Sequence, residues 1–182
     1  SKLDANGNFI WVKQMGGASA SGLSNSIDRM ANGDLYIAGS YSATIDFDPG
    51  AGVTNSTSAG SNDIFVAKYD SNGNLIWVKS IGGGGSESSS SMKVDAFGNS
   101  YITGGYSGAL DFDPNPFSSA IQTTAGFSDV FVLKLDLNGN YDWAKSMGGP
   151  FYDSGISINI DMLGNVLTTG YFAGSADFDP SP

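Results

Sequence analysis

The sequence repeats itself with a period of 66 residues, and this repeat constrains the fold more than any other feature. One block, Lys-x-Asp-x-Asn-Gly-Asn-x-x-Trp, occurs three times and ends at Trp11, Trp77 and Trp143. A second block, Asp-Phe-Asp-Pro, begins 34 or 35 residues after each tryptophan, at 46–49, 111–114 and 177–180. The loops change length by one residue while the period is kept, so the repeat is one structural unit that recurs along the chain.

Each copy of the repeat predicts four β-strands and no helix. In the middle copy the predicted strands are 92–95, 100–106, 130–135 and 142–147. These runs are rich in β-branched and aromatic residues, and an Asn-Gly turn separates the last two, which is a hairpin signal. The run 64–67 is apolar on both faces, as expected of an interior strand that is covered on two sides. The predicted fold class is therefore all-β.

Repeated units of four antiparallel strands are typical of the blades of a β-propeller. The chain then reads as one array: 1–23 as the last strand of a preceding blade, 24–89 and 90–154 as two blades, and 155–182 as the first half of a further blade. Propellers typically have about four to eight blades, so we expect an incomplete ring. The remaining blades of a longer chain, or further copies of this chain, would close it. A β-solenoid or a row of tandem small sandwiches is the alternative.

The composition excludes several classes of chemistry. The chain has no Cys and no His, so a disulfide framework, a thiolate nucleophile and the usual soft-metal ligands are absent from it. Its 8 basic residues are scattered among 18 acidic ones, with a net charge of −10, so we expect no nucleic-acid partner. No apolar run reaches the roughly 18 residues that a membrane-spanning helix needs, so no membrane span is predicted.

The residues of the repeat resemble a known family. The segments 63–83 and 94–104 are similar to the bacterial SBBP-type β-propeller repeat, and the variant with Asp-Phe-Asp-Pro resembles repeats in large secreted or surface proteins of Bacteroidetes-like bacteria. The resemblance implies a propeller fold and display outside the cell, often within a longer multidomain protein. It implies little about activity. The first copy departs from the pattern, because Met30 stands where Asp95 and Asp161 stand in the others.

The Asp-Phe-Asp-Pro loops carry the candidate metal ligands. Two carboxylates at positions i and i+2 of an extended segment point the same way, and Ca²⁺ binds clustered carboxylates and carbonyls. The alternative is a turn in which each Asp accepts local N–H bonds, the Phe anchors the loop and the Pro ends it. The possible cofactor is therefore Ca²⁺, and no other cofactor is predicted. The candidate ligands are Asp46, Asp48, Asp111, Asp113, Asp177 and Asp179, and the anchors are Phe47, Phe112 and Phe178.

Two other repeated positions are predicted to be structural. Gly7, Gly73 and Gly139 follow Asn in the hairpin turn and are expected to adopt positive φ, in preference to a metal-binding loop of the EF-hand kind. The three tryptophans of the first block lie within apolar strands. They are therefore expected in the core of each blade, in preference to an exposed position where they would stack on sugars.

These patterns favour a non-catalytic scaffold. We expect a propeller segment of a secreted or cell-surface bacterial protein that binds proteins or glycans through its loops, with a role in adhesion and with no enzyme activity. The alternative is a segment of a propeller hydrolase or lyase whose catalytic residues lie elsewhere. Residues that repeat in every copy usually belong to the scaffold, and Arg29, Glu87 and Asp153, which break the repeat, show no convergent spacing in the sequence.

Overall fold

The computed structural model describes residues 1–17 and 20–179, and within these ranges the chain forms sixteen strands and no helix. The all-β prediction is confirmed. Among the described residues there is no helical segment with the length and apolar character that a membrane span requires. In chain order the strands are β1 (Lys2–Leu3), β2 (Phe9–Trp11), β3 (Ser21–Arg29), β4 (Leu35–Ser42), β5 (Thr44–Asp46), β6 (Asn55–Thr57), β7 (Asp63–Tyr69), β8 (Leu75–Ile81), β9 (Ser88–Val94), β10 (Ser100–Tyr106), β11 (Ala109–Asp111), β12 (Ile121–Thr123), β13 (Asp129–Leu135), β14 (Tyr141–Met147), β15 (Ser154–Ile160) and β16 (Val166–Tyr171).

Two four-stranded antiparallel sheets form the centre of the chain. The first blade has the strand order β3-β4-β7-β8, and the second has the order β9-β10-β13-β14. Their central strands are covered on both faces, since every residue of β7 and of β10 is buried. These sheets confirm the predicted four-stranded units and are consistent with propeller-like blades.

A two-stranded hairpin is inserted between the second and third strands of each blade. These inserted hairpins pair β5 with β6 and β11 with β12. The sequence predicts only a long polar connection there, because three-residue strands are too short to show a period. Ile45 and Leu110 point inward from the hairpins and are buried, so each insertion adds to the core.

A half-sheet lies on either side of the two blades. The N-terminal hairpin pairs β1 with β2, and the C-terminal hairpin pairs β15 with β16. The first corresponds to the last two strands of a blade, since it has the same Asn-Gly turn, and the second corresponds to the first two. The segment boundaries predicted after residues 23, 89 and 154 fall within the first three residues of β3, β9 and β15.

Neighbouring sheets pack face to face. In β7, Ile64 and Val66 belong to the core shared with the second blade, whereas Phe65 and Ala67 belong to a core on the opposite face. This alternation follows from the two-residue period of a strand. Because each blade has two apolar faces, its stability depends on what packs against each of them.

Candidate functional site

The Asp-Phe-Asp-Pro loops are held by local hydrogen bonds. The Oδ1 atom of Asp46 accepts the N–H groups of Asp48 at 3.0 Å and Thr54 at 2.8 Å. Asp111 does the same in the second blade, where its Oδ1 accepts from Asp113 at 3.0 Å and from Ala120 at 2.8 Å. The first Asp of each block therefore closes the loop that joins the two strands of an inserted hairpin, as the turn interpretation expects.

The other carboxylates of these loops also accept N–H bonds within their own loop. Asp48 accepts from Gly50 at 2.7 Å, Asp113 from Asn115 at 2.9 Å, and Asp177 from the N–H of Asp179 at 2.9 Å. Within residues 1–17 and 20–179, no three carboxylates lie close enough together to hold a metal ion. Calcium binding by these pairs would need backbone oxygens as well, and it stays a prediction.

Substitutions of Asp111 separate the turn role from calcium binding. Asp111→Ala removes the acceptor of two backbone N–H groups, so we expect it to lower the free energy of unfolding by about 1–3 kcal/mol. Asp111→Asn keeps the Oδ1 acceptor and should cost much less. Calorimetric titration with CaCl₂ tests the metal: heat of binding in the wild type that Asp111→Asn reduces supports calcium, and no heat in the wild type contradicts it.

The three phenylalanines of these blocks have different environments. Phe47 and Phe112 are buried, and each packs against a tyrosine at the end of the second strand of its blade, Tyr41 at 5.4 Å and Tyr106 at 5.2 Å between ring centroids. Phe178 is 55% exposed and packs edge-on against Phe172, with ring centroids 5.0 Å apart.

This difference makes Phe178 a matched control for Phe112. Phe112→Ala should cost about 3–5 kcal/mol of unfolding free energy, since it opens a cavity in the core. Phe178→Ala should cost less than about 1 kcal/mol, because an exposed ring loses little on truncation. Urea unfolding of both variants measures the two effects, and similar losses would contradict the anchoring role assigned to the buried ring.

The first block forms the turn between the last two strands of each sheet. Gly7, Gly73 and Gly139 have φ values of +82°, +78° and +76°. In the first blade, Oδ1 of Asp70 accepts the N–H groups of Asn72 and Asn74, and these bonds, those from Asn74 above all, lower the pKa of that carboxyl. The turn is therefore closed by its own Asp side chain.

The repeated tryptophans lie at the junctions between neighbouring sheets. Trp77 packs edge-on against Tyr36 of the same blade at 5.8 Å, and its Nε1 donates to the carbonyl of Leu137 in the second blade at 3.3 Å. Trp143 packs edge-on against Tyr101 at 6.3 Å, and both belong to the core shared with the C-terminal hairpin. All three tryptophans are half-buried.

The structure brings together carboxylates that the sequence left apart. Asp63 and Glu87 interact at the junction of the two blades, and Asp129 and Asp153 interact at the corresponding place in the next repeat. All four are buried, at no more than 3% exposure. The sequence analysis assigned no partner to Glu87 or Asp153, and the structure places one acidic residue beside each. The sequence does contain a signal for these pairs, because 24 residues separate Asp63 from Glu87 and Asp129 from Asp153.

Glu87 and Asp153, which hold corresponding positions at the two junctions, differ in how their carboxylate oxygens are satisfied. Burial, with a smaller contribution from the charge of Asp63, raises the pKa of Glu87 from 4.5 to about 7. Its Oε2 accepts the N–H of Gly83 at 3.2 Å, but its Oε1 has no partner among the described residues. In contrast, Asp153 accepts N–H groups at both oxygens, from Gly149 and Ala173. Glu87 can therefore hold a proton near neutral pH inside the junction.

A cavity of about 310 Å³ lies between the N-terminal hairpin and the first blade. Apolar side chains line it, together with three cations and no acidic residue: Trp11, Met15, Ile27, Leu35, Ile37, Tyr69, Lys2, Lys13 and Arg29. The repeat places Trp11 and Gly33 of this cavity in correspondence with Trp77 and Gly98 at the next junction. There the ring of Tyr36 contacts Trp77, and its hydroxyl donates to the carbonyl of Gly98 at 3.1 Å.

Comparison with known proteins supports the repeat architecture. No known protein family profile matches the sequence. The chain is 26% identical, over 196 aligned positions, to an uncharacterized WD repeat-containing protein, L264, of Acanthamoeba polyphaga mimivirus. It is similar to a propeller-type repeat protein. The alignment covers 91% of this chain and 14% of that relative, so the chain spans about one seventh of the relative's length. The bacterial SBBP type stays a prediction.

Proposed function

We propose that this chain is a non-catalytic scaffold of propeller-type blades that binds a further blade at each open face. The main support for this proposal is that the cavity beside Trp11 corresponds to the space that Tyr36 fills at the next junction. The partner blade comes from the rest of a longer chain or from a second copy. The similarity to a WD repeat-containing protein supports the scaffold role. The alternative of a hydrolase or lyase segment requires catalytic residues from elsewhere.

The C-terminal hairpin carries the side chain that corresponds to Tyr36. Strand pairing aligns Tyr36 opposite Asp28, Tyr101 opposite Lys93 and Leu167 opposite Asn159, so these three residues hold one position of the repeat. Leu167 is 55% exposed. We infer that β15 and β16 of one copy supply the first half of a blade whose second half is the N-terminal hairpin of another copy.

The complete blades define how these halves would pair. Leu35 lies opposite Tyr69 in the first blade, and Ser100 lies opposite Leu135 in the second. The same register places Val166 of one copy opposite Leu3 of the next. Opposed residues of antiparallel strands have Cα atoms roughly 4.5–5.5 Å apart, within the range that a disulfide spans.

A cysteine pair tests this association directly, because the chain has no cysteine of its own. We expect Leu3→Cys and Val166→Cys, on separate copies that are mixed and oxidised, to form an intermolecular disulfide in high yield. Asn159→Cys, on the neighbouring strand, is the matched control for Val166→Cys and should form little disulfide with Leu3→Cys. Equal yields from both positions, or none from either, would contradict the pairing.

We propose that the protein acts outside the cell or on a bacterial cell surface and contributes to adhesion. The resemblance of its Asp-Phe-Asp-Pro repeats to those of secreted and surface proteins supports this location. Protease treatment of intact cells that carry the protein, followed by immunoblotting, tests it. Loss of the protein without lysis supports surface display, and full protection of the protein from the protease overturns it.

A further inference from the structure

Two exposed aromatic rings stack on each other at the edge of the second blade. Phe127 and Tyr152 have ring centroids 5.0 Å apart and an interplanar angle of 12°. They remain 59% and 60% exposed. Their loops are joined by a bridge between Ser128 and Tyr152, in which the N–H of Asp153 donates to the carbonyl of Ser128 at 2.9 Å.

The first junction has the same loops without the rings. There the bridge joins Asn62 and Ser86, and the N–H of Glu87 donates to the carbonyl of Asn62 at 3.0 Å. The repeat places Ser61 and Ser86 where Phe127 and Tyr152 stand, and both serines are exposed. The fold thus presents these positions to solvent even between two complete blades. The bridge forms without aromatic residues, so the rings are not needed to hold the loops.

The loops that carry the two rings are uncharged. The loop segments 124–128 and 149–152 contain no charged residue, although the chain has a net charge of −10. The nearest carboxylates in sequence, those of Asp129 and Asp153, are buried. A neutral ligand therefore fits these loops better than an ionic one, since neither loop segment offers a charged side chain to pair with it.

The stacking of the two rings favours a neutral ligand with a flat face over one that inserts between two rings. The two rings lie nearly parallel and in contact, so they leave no slot between them for a proline ring of an extended peptide. They offer a flat outer face that is rigid because each ring supports the other. A pyranose ring has a flat face of C–H groups that covers such an aromatic face, with hydroxyls at its edge for the polar groups of the loops.

We propose that Phe127 and Tyr152 form a stacking platform for a neutral pyranose sugar of a glycan. The platform breaks the repeat and shares no residue with the lining of the Trp11 cavity, so the two surfaces can be tested separately. It also differs from the repeated tryptophans, which are half-buried at the junctions.

Affinity electrophoresis of the whole chain through gels that contain soluble neutral polysaccharides tests the platform. The probes are a mixed-linkage β-glucan, a xyloglucan and a galactomannan. We expect at least one to retard the wild type, and the double variant Phe127→Ser/Tyr152→Ser to weaken the apparent affinity about tenfold or more. Phe117→Ser, which removes another exposed ring, is the matched control and should be retarded like the wild type.

Each other outcome overturns the proposal. The platform is refuted by no retardation in any gel, or by equal retardation of the double variant. Binding of a polyproline peptide to the pair, with no polysaccharide bound, would assign the surface to a proline-rich partner instead. The disulfide yield between Leu3→Cys and Val166→Cys should not change in the double variant, so loss of sugar binding and loss of blade association are distinguishable.

Discussion

Glu87→Gln is expected to stabilise the protein at pH 8, by up to about 3 kcal/mol of unfolding free energy. Glu87 is fully buried and its Oε1 has no partner among the described residues, so the ionised form is poorly accommodated. Burial and the charge of Asp63 raise its pKa from 4.5 to about 7 in the folded protein. A neutral glutamine keeps an acceptor for the N–H of Gly83 and adds no charge.

The same pKa difference determines how stability changes with pH. Between about pH 4.5 and pH 7 the folded protein holds a proton on Glu87 that the unfolded chain has released. The stabilisation that this group contributes is therefore complete below pH 4.5 and is lost as the pH rises to about 7. Above that pH this group no longer changes the free energy of unfolding. Asp70, whose pKa is lowered, acts in a separate window, because its contribution is lost as the pH falls through that lowered pKa, below 3.8.

Urea unfolding of the wild type and Glu87→Gln across pH 4.5–8 measures the effect. We expect the two curves to meet near pH 4.5 and to separate as the pH rises. Asp153→Asn is the matched control at the corresponding position, where both oxygens accept backbone N–H groups. In this variant the side-chain amide nitrogen would face one of those N–H donors. The substitution should therefore lower the free energy of unfolding by about 1–3 kcal/mol. A Glu87→Gln protein less stable than the wild type at pH 8 would contradict the assignment.

Tyr36→Ala is expected to cost about 3–5 kcal/mol of unfolding free energy and to weaken the coupling of the two blades. The side chain is fully buried and belongs to the core that both blades share. Its ring packs on Trp77, Lys68 Nζ lies 5.2 Å from the ring centroid, and its hydroxyl donates to the carbonyl of Gly98 in the second blade. Truncation therefore removes packing and one hydrogen bond between blades at once.

Two further variants separate these contributions. Tyr36→Phe keeps the ring and leaves the Gly98 carbonyl without this donor, so it should cost about 1–3 kcal/mol. Phe97→Ala, beside Gly98 on the surface, removes a 79% exposed ring and should cost less than about 1 kcal/mol. Unfolding followed by both tryptophan fluorescence and circular dichroism reports coupling. Coincident transitions in Tyr36→Ala, at unchanged stability, would contradict the role of this residue.

The repeat made most of the fold predictable from sequence. The sequence predicts the four strands of each unit, the Asn-Gly turns and the apolar third strand. All of these follow from local patterns, which a single sequence is enough to show. The inserted hairpins were missed because strands such as Thr44–Asp46 are too short to show a period. Their position depends on the packing of Ile45 and Leu110 against the blade, which is a tertiary effect.

The site residues were less predictable, for a related reason. Asp63 and Glu87 come together only because neighbouring blades place the ends of different strands side by side, and no local pattern records that contact. Phe127 and Tyr152 became informative only once the structure showed that Ser61 and Ser86 occupy equivalent, exposed positions. In a repeat protein, the departures from the repeat carry the specific information, and their meaning depends on knowing which positions face solvent.

Sedimentation equilibrium of the unmodified chain shows whether the open blade faces associate. Each copy supplies two complete sheets and two half-sheets, so two copies would provide six blades. We expect the mass to rise with concentration from 18.8 kDa to twice that value. A folded, cooperatively unfolding protein that stays at 18.8 kDa at every concentration would contradict this association.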